Sequence, residues 1–122
     1  DVITTGIYPD IVRKDGLQIS SAGPIGKFSL SNLDSTKTYT LKFYGYKSYT
    51  TGARGLADIR VYNNALQDSI DTTQEYDPSN NLTTTCDFAN IAPNQYGNIF
   101  INITAKNGVT TVLSALEIIK HN

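Results

Sequence analysis

The stretch KTYTLKFYG, residues 37–45, decides how the rest of the chain is read. Its side chains alternate. Tyr39, Leu41 and Phe43 fall on one side of an extended backbone; Thr40, Lys42 and Tyr44 fall on the other. Aromatic and branched residues suit the pleated, half-buried surface of a sheet. Helical periodicity is nearly absent from the whole chain, and this alternation recurs along it. LADIRVYNN (56–64) puts Ala57, Ile59 and Val61 inward, with Asp58, Arg60 and Tyr62 outward. NIFINITA (98–105) lines up Ile99, Ile101 and Ile103. LTTTCDF (82–88) groups Leu82, Thr84, Cys86 and Phe88. VTTVLSALEII (109–119) is apolar enough for a strand buried on both faces.

Turn chemistry separates these runs: residues 32–35, 52–55, 77–81, 93–97 and the dipeptide Asn107-Gly108. Asn-Gly between two β-rich runs is a strong hairpin signal. The first 25 residues are less regular. IVRKDGLQIS (11–20) supplies an edge strand, and Gly23-Pro24 marks a bend. Several short strands with no helices between them predict an all-β fold, an antiparallel β-sandwich or barrel.

The chain has 122 residues, enough for one domain with one core. Hydrophobic residues make up 39% and charged residues 17%, a globular balance. Net charge is -1 and no block of like charges occurs, which argues against nucleic acid and anionic membrane as partners. No apolar run is long enough to span a bilayer as a helix. A start at Asp1 and the absence of a signal peptide suggest a mature form or a piece excised from a longer protein. The polar, Thr/Asn/Tyr-rich composition suggests a secreted or surface location. Sequons at Asn81 and Asn102 arise easily by chance in such a composition.

Catalytic groups are scarce. The single histidine, His121, lies one residue from the end, where chains fray. The single cysteine, Cys86, sits on an apolar strand face and reads as a small hydrophobe. It allows no internal disulfide, and no zinc-ligand spacing occurs. Nine Asp and two Glu remain, and no pair stands out as a glycosidase couple. Glu117 reads as a sheet-rim side chain. Asp68, Asp71, Asp77 and Asn80 have the oxygen chemistry of a calcium site, or they simply form turns. No catalytic residue and no cofactor is assigned, with structural calcium left open.

The chain's eight tyrosines are the remaining signal. If 39–46 and 57–63 form a hairpin with Gly52 near its tip, Tyr44 falls opposite Arg60, Lys42 opposite Tyr62, and Tyr46 opposite Asp58. All six then lie outward, with Gly45 inward to relieve crowding. A flat phenol can cover the C–H face of a sugar ring while Arg, Asp and Asn take its hydroxyls. The same residues can instead stabilise each other as cross-strand stacks. Tyr46, Tyr49 and Arg54 lie at or near the loop, where binding groups concentrate. Tyr76 is an outlying candidate; Tyr96 reads as a packing residue at the 93–97 corner.

IYPDIVRKDGL (7–17), FSLSNLDSTKTYTLKFYG (28–45), SNNLTTTCDFANIAPNQYGNIFINI (79–103) and VLSALEI (112–118) occur in that order. Together they resemble the galactose-binding-like jelly rolls appended to secreted bacterial polysaccharide-active proteins. The resemblance spans nearly the whole chain. It departs at YKSYTTGARG, where an aromatic or Ser/Arg cluster is usual, and at VLSALEI, which lacks a leading Tyr. The matched motifs are turn, core and corner residues, so no family binding residue carries over. The resemblance implies a non-catalytic, monomeric carbohydrate-binding module. It would hold a covalently linked enzyme or surface module near a polysaccharide, by weak, shallow contacts. A structural spacer or adhesion domain is the alternative; a small hydrolase is a third.

Overall fold

The computed structural model describes residues 17–19 and 26–122. The "YP…DG" opening, most of the 11–20 run and the Gly23-Pro24 bend lie outside the described residues. These residues form nine strands and no helix. β1 (Leu17–Ile19) and β8 (Thr111–Leu113) make a small antiparallel pair. β2 (Gly26–Leu30), β7 (Ile99–Ala105), β4 (Ala57–Tyr62) and β5 (Asp71–Tyr76) make a four-stranded antiparallel sheet in that order. β6 (Cys86–Ile91), β3 (Thr38–Tyr44) and β9 (Ala115–His121) make a three-stranded one.

The expected alternation builds the interior. Tyr39, Leu41 and Phe43 from β3 and Cys86, Phe88 and Ile91 from β6 share one core with Ala57, Ile59 and Val61 from β4 and the three isoleucines of β7. Phe43 meets Phe88 edge to face at 5.7 Å, the geometry ring quadrupoles prefer. The result is an antiparallel β-sandwich, as expected. Cys86 is buried in this core, and Glu117 is exposed on the edge strand β9.

The 39–46/57–63 hairpin does not form. β3 hydrogen-bonds to β6 and β9, while β4 hydrogen-bonds to β5 and β7. The two strands belong to opposite sheets and share only the core. Both bury a full apolar face, which lets them pack face to face; residues 45–56 cross between the layers. Tyr44 is therefore opposite Ala115, and Arg60 lies between Thr73 and Asn102.

Three further expectations need correction. The 109–119 run is not one doubly buried strand: it breaks at Ser114, whose N–H donates to the Tyr44 carbonyl at 2.8 Å. Its second half, β9, is an edge strand with no fully buried side chain, and Glu117 and Ile118 are both exposed. Asn107-Gly108 does make a tight turn, with both residues at positive φ (58° and 65°). Yet the strands it joins, β7 and β8, pair with other partners. His121 is not frayed: it pairs with Thr38, and its Nε2 lies 2.6 Å from Thr40 Oγ1.

Candidate functional site

Strand direction sorts the loops into two ends. Ala57 pairs with both Tyr76 and Ala105. The connections 45–56, 77–85 and 106–110 therefore meet at one end. The connections 31–37, 63–70 and 92–98 meet at the other.

At the first end, Tyr49 and Arg54 come together within the 45–56 loop. The Arg54 guanidinium sits 4.5 Å from the centre of the Tyr49 ring. Its Nη1 donates to Asp77 Oδ2 at 3.2 Å. The Tyr49 hydroxyl donates to the Gly52 carbonyl at 2.7 Å, which closes the loop on itself. Gly52 holds φ at 92°, a region a side chain resists. Asn80 then clamps the loop to its neighbour: it accepts from Tyr49 N–H at 3.0 Å and donates to the Tyr49 carbonyl at 2.7 Å. Lys47 extends this join. Its backbone exchanges hydrogen bonds with Pro78 and Asn80, and its ammonium donates to the Thr110 carbonyl. Tyr46 is half-buried, with its N–H turned to Ser114 Oγ at 3.3 Å.

Beside this clamp lies an open recess of about 670 Å³, within the size range of ligand sites. Asp77, Ser79, Asn80 and Thr83–Thr85 give it a wall of hydroxyl, amide and carboxylate groups. Burial would raise the Asp77 carboxyl, but Ser79 and Arg54 outweigh it and hold it below its usual range. Ser79 Oγ is buried and makes no hydrogen bond of ordinary geometry.

Tyr44 and Tyr76, expected on the surface, are interior. Tyr44 is fully buried at the end of β3, and its hydroxyl donates to the Asn81 carbonyl at 2.7 Å. The Tyr76 hydroxyl accepts from Gly45 N–H at 3.0 Å and donates to the Thr84 carbonyl at 2.8 Å. Asn81 donates to the carbonyls of Gly45 and Thr84 at 3.1 and 2.7 Å, and accepts from Thr84 N–H at 2.8 Å. This polar knot supports the site from beneath and leaves neither phenol free for a ligand.

Its burial carries a pH consequence. Burial pushes the Tyr76 phenol up to about 12 and the Cys86 thiol up to about 11, from usual values of 10 and 9. Both groups stay neutral when folded at pH values that ionise them in the unfolded chain. Their contribution is therefore complete below pH 9 and is lost as pH rises through 9–11 for the thiol and 10–12 for the phenol. Urea midpoints should hold steady to about pH 9 and then fall; Cys86→Ala should delay the onset by about one unit. A midpoint that is flat to pH 12 would remove the buried phenol from the fold's ionisation balance.

Arg60 and Tyr62 do lie outward, on the four-stranded sheet. The Arg60 guanidinium stacks 4.1 Å above the Tyr62 ring and holds Asp71 through two bonds of 2.8 and 2.7 Å. That hydrogen bond raises the arginine's pKa and lowers the carboxyl's. Tyr62 stacks on Phe100 at 5.4 Å, and its hydroxyl donates to Asn102. The alternation of NIFINITA marks Phe100 as outward; only its cross-strand neighbour was illegible. The groups of this row satisfy one another, as a cross-strand ladder does.

The calcium candidates divide between the two ends. Asp68 and Asp71 flank the start of β5, whereas Asp77 and Asn80 follow its end. Among the described residues no three His, Cys, Asp or Glu side chains converge. No described helix is long and apolar enough to cross a membrane. Comparison with protein-family models, curated proteins and solved structures finds no significant match.

Proposed function

We propose that this β-sandwich is a non-catalytic carbohydrate-binding module, of jelly-roll type, that works at the 45–56/77–85 end. The observation that carries this is Asn80 holding Tyr49 beside a polar recess of about 670 Å³. A sugar ring laid on the phenol directs its hydroxyls toward Arg54, Asp77 and the Ser/Thr wall, which offers both donors and acceptors. The platform is preassembled, so little loop ordering opposes binding. The module would be secreted or surface-located, and joined to an enzyme or surface module.

The side chains near the recess support a binding rather than a catalytic role. Asp77 is paired with Arg54, which helps to hold its carboxyl below the usual range and makes it a poor general acid. The Cys86 thiol is held neutral, and His121 is tied to Thr40 at the far end.

Affinity electrophoresis against plant, algal and microbial polysaccharides tests this. At least one glycan should retard the parent chain. Tyr49→Ala should weaken that retention about tenfold, the loss of ~1.4 kcal/mol. Asn80→Gly keeps the positive φ of 49° while deleting the clamp, and should lower retention with little change in stability. Retention that survives both variants places the sugar elsewhere. The self-satisfied Arg60–Tyr62–Phe100 ladder favours a second function, a structural spacer. That function gains if no glycan retards the chain.

A further inference from the structure

We infer that the opposite end of the sandwich carries a second binding site, for a neutral polyhydroxylated ligand such as an uncharged sugar ring. It is distinct from the Tyr49 site, and loops 31–37, 63–70 and 92–98 build it.

Two side chains are held conspicuously far into solvent there. Leu66 is 85% exposed and Tyr96 is 76% exposed. The exposure of Tyr96 corrects its expected packing role. Beneath them the loops are tightly laced. Asn63 is buried, and its Oδ1 accepts from Ala65 N–H at 3.1 Å and Ile70 N–H at 2.9 Å. Its amide donates to the Ala92 carbonyl at 2.9 Å. Asn94 is buried as well. It accepts from the N–H groups of Tyr96 and Asn98, each at 3.0 Å, and donates to the Asn63 carbonyl at 2.9 Å. Leu33 N–H donates to the Gly97 carbonyl at 3.1 Å, which ties in the third loop. Two buried asparagines thus spend their hydrogen bonds on fixing loops that display apolar side chains outward.

Between the loops lies a cavity of about 430 Å³, lined by Ser35, Ala65, Leu66, Gln67, Pro93 and Gln95 along with Asn94. Its chemistry selects the ligand class. The lining contains no charged side chain, so nothing there compensates a phosphate or carboxylate. Ser35, Gln67 and Gln95 each offer a donor and an acceptor, and none of their side chains is paired with another described residue. Leu66 and Pro93, with Tyr96 one residue beyond Gln95, supply apolar cover. A sugar ring presents both surfaces: C–H groups on its face and hydroxyls at its edge. Strands of six or seven residues separate this site from Tyr49 by about 20 Å. One module can therefore hold two glycan chains at once, which strengthens attachment to a polysaccharide mesh.

Amide chemical shifts test the site directly. The probes are the methyl glycosides of glucose, galactose, mannose and xylose, with galacturonate as a charged control. At least one neutral glycoside should move the amides of Leu66, Gln67, Gln95 and Tyr96, and galacturonate should not. Tyr96→Ala and Leu66→Ser should abolish those shifts; Tyr49→Ala should preserve them. Both substituted side chains are largely exposed, so the core is untouched. Shifts confined to the Tyr49 end overturn this inference and leave the first site standing. Shifts confined to residues 63–70 and 92–98 do the reverse. Self-association lost in Leu66→Ser would assign the patch to a protein contact and overturn the sugar assignment.

Discussion

Asn81→Ala should cost about 4 kcal/mol of folding stability, several buried hydrogen bonds at about 1 kcal/mol each, plus orphaned partners. Asn81 is 9% exposed and sits where three segments meet. Its amide group serves the carbonyls of Gly45 and Thr84 and reaches the Tyr76 hydroxyl. Its oxygen takes the N–H groups of Thr83 and Thr84. Alanine fills no comparable volume and leaves these groups without their partner. Domains of this size have total stabilities of roughly 5–15 kcal/mol, so the loss is a large share. Urea unfolding followed by far-ultraviolet circular dichroism measures it. Asn81→Asp is the sharper variant: it keeps the shape and the acceptors but deletes both donors. If it unfolds at the parent's urea midpoint, the donors are not what holds the 77–85 loop down. Asn80, the preceding residue, is exposed, and its side chain bonds to Tyr49 alone among the described residues. Adjacent asparagines therefore divide fold from site.

That division explains what the sequence could not convey. Alternation specifies which face a strand buries, so Leu41, Phe43, Ile59, Val61 and the isoleucines of β7 were legible as core. It says nothing about a strand's neighbours. The same alternation that marks β3 and β4 as half-buried fits a hairpin and a face-to-face pair equally well. Parity also fails at strand ends. Phe43 and Tyr44 are consecutive and both buried, because β3 ends where the chain turns across the layers at Gly45. Tyr76, by contrast, is buried by parity: it pairs with Ala57 and so shares the inward face of Ile59 and Val61. The strand DTTQEY itself lacks apolar alternation and forms on the backbone edge of β4. Polar loops are harder still. Asp77 and Asn80 were legible as turn or oxygen-rich residues, but their partners, Arg54 and Tyr49, lie more than 20 residues away in sequence. Leu66 and Tyr96 carry no pattern at all; their exposure follows from Asn63 and Asn94, which look like ordinary turn residues.

Gly45→Ala should be nearly as damaging, at about 3 kcal/mol, the upper part of the range for overpacking a tight interior. Gly45 does not have positive φ, unlike Gly52, Gly97 and Gly108, so its backbone conformation is open to any residue. The requirement is space. A methyl there would overlap the carbonyl oxygen of Val112 and press on Pro78 Cβ at 3.3 Å. Val112 is main chain of β8 and pairs with Gln18 of β1, so no side-chain rotation relieves the clash. Either β8 moves, breaking its register with β1, or Gly45 moves, pulling its N–H from Tyr76 and its carbonyl from Asn81. Gly52→Ala is the control: nothing lies within 4 Å of the added methyl, and only the strain of φ 92° remains, about 1 kcal/mol. The two substitutions separate crowding from conformation in a single urea experiment. If Gly45→Ala falls within about 1 kcal/mol of the parent, β8 yields to the methyl. The β1–β8 pair would then be a pliant flap over the sandwich end, not the buttress against which the Tyr49 loop is set.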